Sequence, residues 1–467
     1  MIFEQHYLDC LSQASYLIGD ETTRKAVVVD PRRDIEAYLE SARQRDLEIV
    51  MIIETHFHAD FLSGHLELAE RTGATIAYGP GARTEFPSRN LADGECIELG
   101  EVTLRALHTP GHTPESLCVL VYETRADLPE GEGWGRPHAV LTGDTLFIGD
   151  VGRPDLLSSV GLTAEELAGQ LHDSLQRLLT LPDEVRVFPG HGAGSACGKN
   201  LSTETTSTIG EQRRTNYALQ PMSREEFIGV VTEGQPVPPA YFPFDAVRNR
   251  QLHDLLDERL APPALTLDEV IRHQRAGAVV VDTRSPDEFA RGHLVGALNV
   301  GLEGRFAEYA GAMIQPGAPI VLVGAPGTEA DARNRLARVG FDNVIGHLPA
   351  LDTILADHPD EVVTSRRVDV AELDRARAEV TDLQLVDVRQ PGETAGGVIE
   401  GAITIPLTRL NAELARLDAA RPTIVYCAGG YRSSIAASRM AAAGFADVSD
   451  LVGGYNAWVD AHAPAAV

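Results

Sequence analysis

Cysteine is scarce and scattered in this 467-residue chain: Cys10, Cys96, Cys118, Cys197 and Cys427 are odd in number and form no CxxC pair. That excludes a disulfide framework and a cysteine-clamped structural zinc, and it predicts free thiols in a reducing compartment. Basic charge is short as well, with 40 Lys and Arg against 68 Asp and Glu and a formal net charge of −28. A surface of that sign repels nucleic-acid phosphates and anionic lipid, so neither a nucleic-acid nor a membrane partner is expected. No apolar run approaches the ~18 residues of a spanning helix, and MIFEQHYLDC has no basic-then-apolar secretory pattern. A cytoplasmic protein is expected, and homo-oligomerisation is left open.

What is present is an ordinary globular endowment, 43% hydrophobic and 23% charged, with 43 Gly and 27 Pro that suit a loop-rich α/β protein. The length predicts about three domains at roughly 150 residues each. Short apolar strands are predicted at KAVVVD (25–30), EIVMIIETH (48–56), VTLRALHT (102–109), HAVLTGD (138–144) and VRVFPGH (185–191). Most end at or near a His or Asp, where sites in α/β proteins gather. Helices are predicted at SGHLELAERTG (63–73) and TAEELAGQLHDSLQRLLTL (163–181), the latter opened by a Thr163–Glu166 capping box. A Pro-rich stretch (233–244), a further helical segment at 245–260 and a Pro pair close the first domain near 260.

The remainder repeats itself. VVVDTRSPDEFARGHLVGALNV (279–300) returns as QLVDVRQPGETAGGVIEGAITI (384–405), and PIVLVGAPG (319–327) as PTIVYCAGG (422–430). The predicted domains are therefore 1–260, 261–363 and 364–467, the last two being copies of a small α/β unit.

Four separated segments of the first domain carry metal-type donors: His56, His58 and Asp60 in THFHAD, His112 in TPGHT, Asp144 in TGD, and His191 in FPGHG. Imidazoles and carboxylates that each follow a strand are the pattern of a metal centre. In this order the segments resemble the metallo-β-lactamase fold, an αββα sandwich, and within it they are most similar to the persulfide dioxygenases. That resemblance implies one Fe(II) per chain held by His56, His112 and Asp144, a facial triad with open positions for O2 and a sulfur ligand. It leaves His58, Asp60 and His191 around the ligands, orienting them or relaying protons. Arg153 of DVGRPD matches a family arginine, a substrate contact or a partner of Asp155, and Cys197 is a second substrate-contact candidate. Hydrolases of this fold usually carry a further His at the position held here by Phe61. A phenyl ring cannot ligate, which favours one metal over the two that hydrolysis employs.

In the last domain, Cys427 lies between an apolar strand and a helix, in the loop CAGGYR, where backbone N–H groups stabilise a thiolate or persulfide. Arg432 adds positive charge. DVR (387–389), this loop and LVGGYNAW (451–458) resemble the rhodanese sulfurtransferases, which implies that Cys427 carries a sulfane sulfur. The middle copy opens like a rhodanese but has Gly324 where Cys427 aligns and no cysteine in 261–363, so it resembles a pseudo-rhodanese.

The fold class expected is α/β, a metallo-β-lactamase sandwich followed by two rhodanese-like domains. The partners expected are a small-molecule thiol persulfide, O2, and sulfite or thiosulfate. The competing expectations are a glyoxalase II-type thioesterase with zinc and a non-catalytic sulfur carrier or sensor.

Overall fold

In the run KAVVVD every side chain from Ala26 to Val29 is buried, and successive ones enter different cores: Val27 and Val29 one, Ala26 and Val28 another. A strand covered on both faces reads this way. The computed structural model describes residues 1–156 and 161–463. The chain divides into two compact units, Met1–Gln235 with Phe242–Leu256, and Pro236–Tyr241 with Asp257 onward. The end of the third predicted domain, 464–467, lies outside the described residues.

The first unit holds two six-stranded sheets. Strands β1 (Ile2–Leu8), β2 (Gln13–Gly19), β3 (Lys25–Val29), β4 (Glu48–Ile53), β5 (Thr75–Tyr78) and β6 (Arg89–Asn90) lie side by side in chain order. The second sheet comprises β7 (Cys96–Glu98), β8 (Thr103–His108), β9 (Leu117–Tyr122), β10 (Ala139–Gly143), β11 (Arg186–Pro189) and β12 (Ser207–Thr208), again side by side in chain order. Ile18, Val27, Val29 and Ile53 meet Leu104, Val119, Val121 and Leu141 between the sheets. Tyr38 and Leu68, on helices Glu36–Gln44 and His65–Thr72, cover the outside of the first sheet, and Leu171 and Leu175 of helix Ala164–Leu178 cover the second. Each such side chain contributes roughly 1.5–3 kcal/mol on burial. The result is the expected αββα sandwich. The predicted capping box forms, with Glu166 N donating to Thr163 Oγ1 at 3.1 Å and Thr163 N to Glu166 at 2.8 Å.

The helix expected over 245–260 is a correction: the helix found there is Phe242–Arg248. Beyond it, backbone groups are taken by distant side chains. Leu256 N donates to Glu67, Leu252 N to Glu85, and the carbonyl of Asp254 accepts from Arg33. Tertiary partners displace the i→i−4 ladder, which alone is weak in so short a segment.

At one rim of the sandwich the two sheets are stitched together. Leu117 N donates to the Thr55 carbonyl at 2.8 Å, and Ala14 N to the Gly190 carbonyl at 2.8 Å. The loops that leave β3, β4, β10 and β11 at this rim carry Asp30, Glu54 to Asp60, Asp144 and His191.

In the second unit, β13 (Val279–Asp282), β15 (Leu298–Asn299), β16 (Ile320–Val323) and β17 (Val344–Leu348) form a parallel sheet in the order β15–β13–β16–β17. Strands β14 (His293–Leu294) and β18 (Val362–Val363) pair separately. The second copy orders β19 (Arg366–Val368), β20 (Gln384–Asp387), β21 (Ile403–Thr404), β22 (Thr423–Tyr426) and β23 (Val448–Leu451) as β19–β23–β22–β20–β21. The duplication extends to side chains. Arg284 pairs with Asp282 and reaches the Gly292 carbonyl at 2.8 Å, while Arg389 pairs with Asp387 and reaches the Gly397 carbonyl at 2.7 Å. Among the described residues no helix is long and apolar enough to cross a membrane.

Candidate functional site

Three histidines of the rim are locked by their Nδ1 atoms. Thr55 Oγ1 gives its single proton to Asp30 Oδ2 at 2.8 Å, so towards His56 Nδ1, 3.0 Å away, it is an acceptor. His112 Nδ1 donates to the Arg153 carbonyl at 2.8 Å and His191 Nδ1 to the Ser12 carbonyl at 3.2 Å. A carbonyl can only accept, and Thr55 Oγ1 has no second proton to give, so Nδ1 is the donor in each of these bonds and Nε2 is the atom turned to the site.

Those Nε2 atoms converge on Asp144. His112 Nε2 lies 3.6 Å and His56 Nε2 3.9 Å from Oδ2, and His191 Nε2 lies 3.5 Å from Oδ1. These separations exceed a good hydrogen bond. Nε2 of His56 and of His191 and both Asp144 oxygens are buried without a hydrogen-bond partner. Unpaired buried polar atoms are costly unless something else occupies them. Burial, and then the neighbouring His58, His112 and His191, hold His56 well below the usual imidazole range, so it is uncharged. Donor atoms of His56, His112 and Asp144 lie within 4.8 Å of one another, and this buried set could hold one metal ion. Gly190 leaves room for that carboxylate, since a Cβ there would stand 2.7 Å from Asp144 Oδ1.

His58 stands in a different environment. Its Nε2 is 3.1 Å from Asp30 and 3.3 Å from Glu54, all three being fully buried. Burial opposes its charge, yet the two carboxylates raise it well above the ordinary imidazole value. The ring of Phe61, fully buried, lies against His58 with centroids 4.2 Å apart. Asp60 faces His191 Nε2 at 3.3 Å, and His58, Asp60 and His191 bring donor atoms within 4.8 Å of one another.

Arg153 is buried. It forms a two-point pair with Asp155, at 2.7 Å on each side, and donates to the Ala196 carbonyl at 3.1 Å. Its backbone N–H also holds the Cys197 carbonyl at 3.0 Å. Cys197 is buried with its sulfur near Asp144 and His191. Burial, with the Asp60 and Asp144 charges, pushes its thiol well up, so it is protonated.

The second candidate site is in the last domain. Cys427 directly follows β22, and Gly430 N, at φ 101°, donates to its sulfur at 3.1 Å. Helix Tyr431–Ala442 begins immediately after. Arg432 is held end-on by Glu393, at 2.7 and 2.6 Å, leaving three of its five donors. In the middle copy a Cβ on Gly324 would meet Thr283 Oγ1 at 2.2 Å, so the space of the missing cysteine is filled.

Thr55, Asp30, Glu54 and Ser12 orient these groups and were not singled out from sequence. Asp30 carried a usable signal, being the polar end of KAVVVD. Ser12 meets His191 through its backbone carbonyl and carried none.

Comparison with known families and structures agrees with this layout. The metallo-beta-lactamase superfamily model matches residues 8–126, and the rhodanese-like domain model matches 266–348 and 369–461. A solved metallo-beta-lactamase from Staphylococcus aureus subsp. aureus COL is 33% identical, with a TM-score of 0.66, covering 74% of this chain and 99% of its own. ETHE1 from Myxococcus xanthus is 32% identical and covers 53% of this chain and 100% of its own, with a TM-score of 0.44. Hydroxyacylglutathione hydrolase of Pseudomonas aeruginosa is 35% identical over 180 residues, 38% of this chain and 60% of its own length. The chain spans about half to three-fifths of the length of the curated relatives it matches.

Proposed function

We propose a function from the premise that this chain belongs to the metallo-β-lactamase superfamily and carries two rhodanese-like domains behind that domain. The first unit is a mononuclear iron persulfide dioxygenase and the last domain a sulfurtransferase, two activities that handle the same sulfane sulfur. The observation that carries the dioxygenase reading is Phe61, buried against His58 where a donor to a second ion would be needed. With His56, His112 and Asp144 as its ligands, Fe(II) would supply open positions for O2 and an anionic sulfur. The residues themselves set the rest: Nδ1 anchors aim the imidazoles, and burial excludes water from the carboxylate of Asp144. The substrate is a low-molecular-weight thiol persulfide. Its outer sulfur takes two oxygen atoms from O2 and one from water, and leaves as sulfite with release of the thiol.

Cys427 takes sulfur from a persulfide, its thiolate attacking the outer sulfur and displacing the thiol. Sulfite then attacks the Cys427 persulfide to give thiosulfate and restore the thiolate. Gly430 N–H supports the anionic sulfur, and Arg432, fixed by Glu393, supplies positive charge beside it. Five free cysteines suit a reducing, cytoplasmic setting.

Purified protein should contain about one iron per chain and consume O2 only when persulfide is supplied. Two tightly bound zinc ions without oxygen uptake would sink the reading. Cys427→Ser should keep oxygen uptake and lose thiosulfate formation; an unchanged thiosulfate yield refutes the role of Cys427. The second reading, a zinc thioesterase of the glyoxalase II type, is favoured by the hydroxyacylglutathione hydrolase relative. Thioester cleavage by the zinc-loaded protein distinguishes it.

A further inference from the structure

The first rhodanese-like copy has no cysteine and no room for one, yet its sheet edge is built into the helix that follows Cys427. Strand β15 is the edge of its sheet, and an edge exposes unpaired backbone groups unless something covers it. Helix Tyr431–Ala442 covers this one through polar contacts. Asn299 N donates to Ser438 Oγ at 3.0 Å, and Ser434 Oγ donates to Asn299 Oδ1 at 2.6 Å. Asn299 is fully buried, and its amide donates to the Asp282 and Arg284 carbonyls at 3.2 and 3.0 Å. Ser434 and Ser438 are one turn apart and so share a helix face. Serine is a mediocre helix-interior residue, because its hydroxyl competes with the helix for backbone partners. These two are explained by Asn299; the middle copy has Asp331 and Arg335 at the matching positions.

The grip is closest at the start of the helix. Tyr431 OH donates to the Gly301 carbonyl at 2.6 Å, and its ring lies 5.8 Å from that of Tyr309. A Cβ on Gly301 would stand 3.3 Å from the Tyr431 ring, so the segment just past β15 approaches closely because glycine is there. Tyr431 directly follows Gly430, the residue whose N–H meets the Cys427 sulfur. A chain of bonds therefore runs from the middle domain's backbone to the amide that faces the thiol.

We infer that the cysteine-less middle domain is a working part of the sulfur-transfer site, and that Asn299, Ser434 and Tyr431 are positioning residues that fix the Cys427 loop. The inference rests on the sulfur-transfer reading of Cys427. A buried, fully satisfied polar network specifies one arrangement where apolar packing alone would accept several. The charged and titratable groups around the loop are Arg432, Glu393, Arg367 and the Tyr431 phenol of its own domain and Arg305, Glu308, Tyr309 and Arg335 of the middle one. Of these only the Tyr431 phenol is altered in the variants below, and burial holds its titration well above the ordinary phenol range.

The test uses the full chain with Tyr431→Phe, Ser434→Ala and the double variant. Iodoacetamide alkylation is followed at the Cys427 peptide by mass spectrometry across pH, beside steady-state thiosulfate turnover. In the double variant, alkylation at neutral pH should slow roughly fivefold, the size of one hydrogen bond's net contribution. The pH midpoint of alkylation should rise, and kcat should fall with KM for thiosulfate held. Alkylation and turnover profiles that superimpose on wild type in folded double variant overturn the inference. Should that variant fail to melt cooperatively, Tyr431→Phe, which loses one oxygen only, decides by the same criterion. Transfer that survives in Cys427→Ser overturns the underlying reading instead, and the alkylation profile still decides the positioning role.

Discussion

Thr55 Oγ1 accepts a hydrogen bond from Nδ1 of His56 at 3.0 Å because its own proton is committed to Asp30 at 2.8 Å. One hydroxyl thus fixes the tautomer of a proposed ligand and ties it to a buried carboxylate. Thr55→Val keeps the shape and removes both bonds. The variant should fold and bind its metal about 10–100-fold more weakly, the usual cost of losing an outer partner of a ligating histidine. Competition with a chelator, read as metal retained per chain, checks this.

On the proposed mononuclear reading, Phe61 sets how many ions the rim accepts. Its ring packs on His58, beside a set of donors from His58, Asp60 and His191 that lie within 4.8 Å of one another. Phe61→His replaces that ring by a donor. Elemental analysis should find the metal content rising from about one to about two per chain, together with gain of thioester hydrolysis, since a two-ion clamp suits hydrolysis. A stoichiometry unchanged by the substitution would count against Phe61 as the determinant.

His58 between Asp30 and Glu54 makes stability depend on pH. The folded protein raises its pKa well above the ordinary value, Asp30 and Glu54 overcoming the opposing cost of burial. The stabilisation is therefore complete below the unfolded value of about 6.5 and is lost as pH climbs through the raised folded one. In metal-free protein, His58→Gln should lower stability at neutral pH by about 3–5 kcal/mol, because buried carboxylates lose their counter-charge. The gap between wild type and variant, measured by denaturant unfolding, should narrow as the solution becomes alkaline.

The motifs were legible because each is local. HxHxD, PGH, TGD and GH sit at strand ends, and Thr163 lies three residues before Glu166, so spacing alone carries the information. The helix wrongly expected over 245–260 shows the limit. Asn249, inside that stretch, accepts from Ser63 N at 2.9 Å and donates to the His58 and Phe61 carbonyls at 2.8 Å each. It shapes the loop of the metal-type donors from the far end of the unit, and no periodicity encodes that. The polar link between Asn299 and Ser434 is hidden in the same way: both residues read as unremarkable in their own copies, and their meaning depends on a contact between copies.

The duplicated domain supplies the last prediction. Gly324 aligns with Cys427, which invites the idea that restoring a cysteine would rearm the middle copy. Geometry opposes it: a Cβ at 324 would lie 2.2 Å from Thr283 Oγ1, and that hydroxyl is itself fixed to the Val323 carbonyl at 3.1 Å. The matching position in the last copy is Val388, which has no hydroxyl there. The cation is missing too, since Glu329 takes the place of Arg432 and would repel an anionic sulfur donor. In a Cys427→Ser background, Gly324→Cys should therefore yield no thiosulfate sulfurtransfer above the background enzyme. Adding Thr283→Val and Glu329→Arg relieves the clash and the repulsion, and any recovered turnover should appear only in that triple replacement. Activity from Gly324→Cys alone would show that the middle loop reshapes more freely than its packing implies.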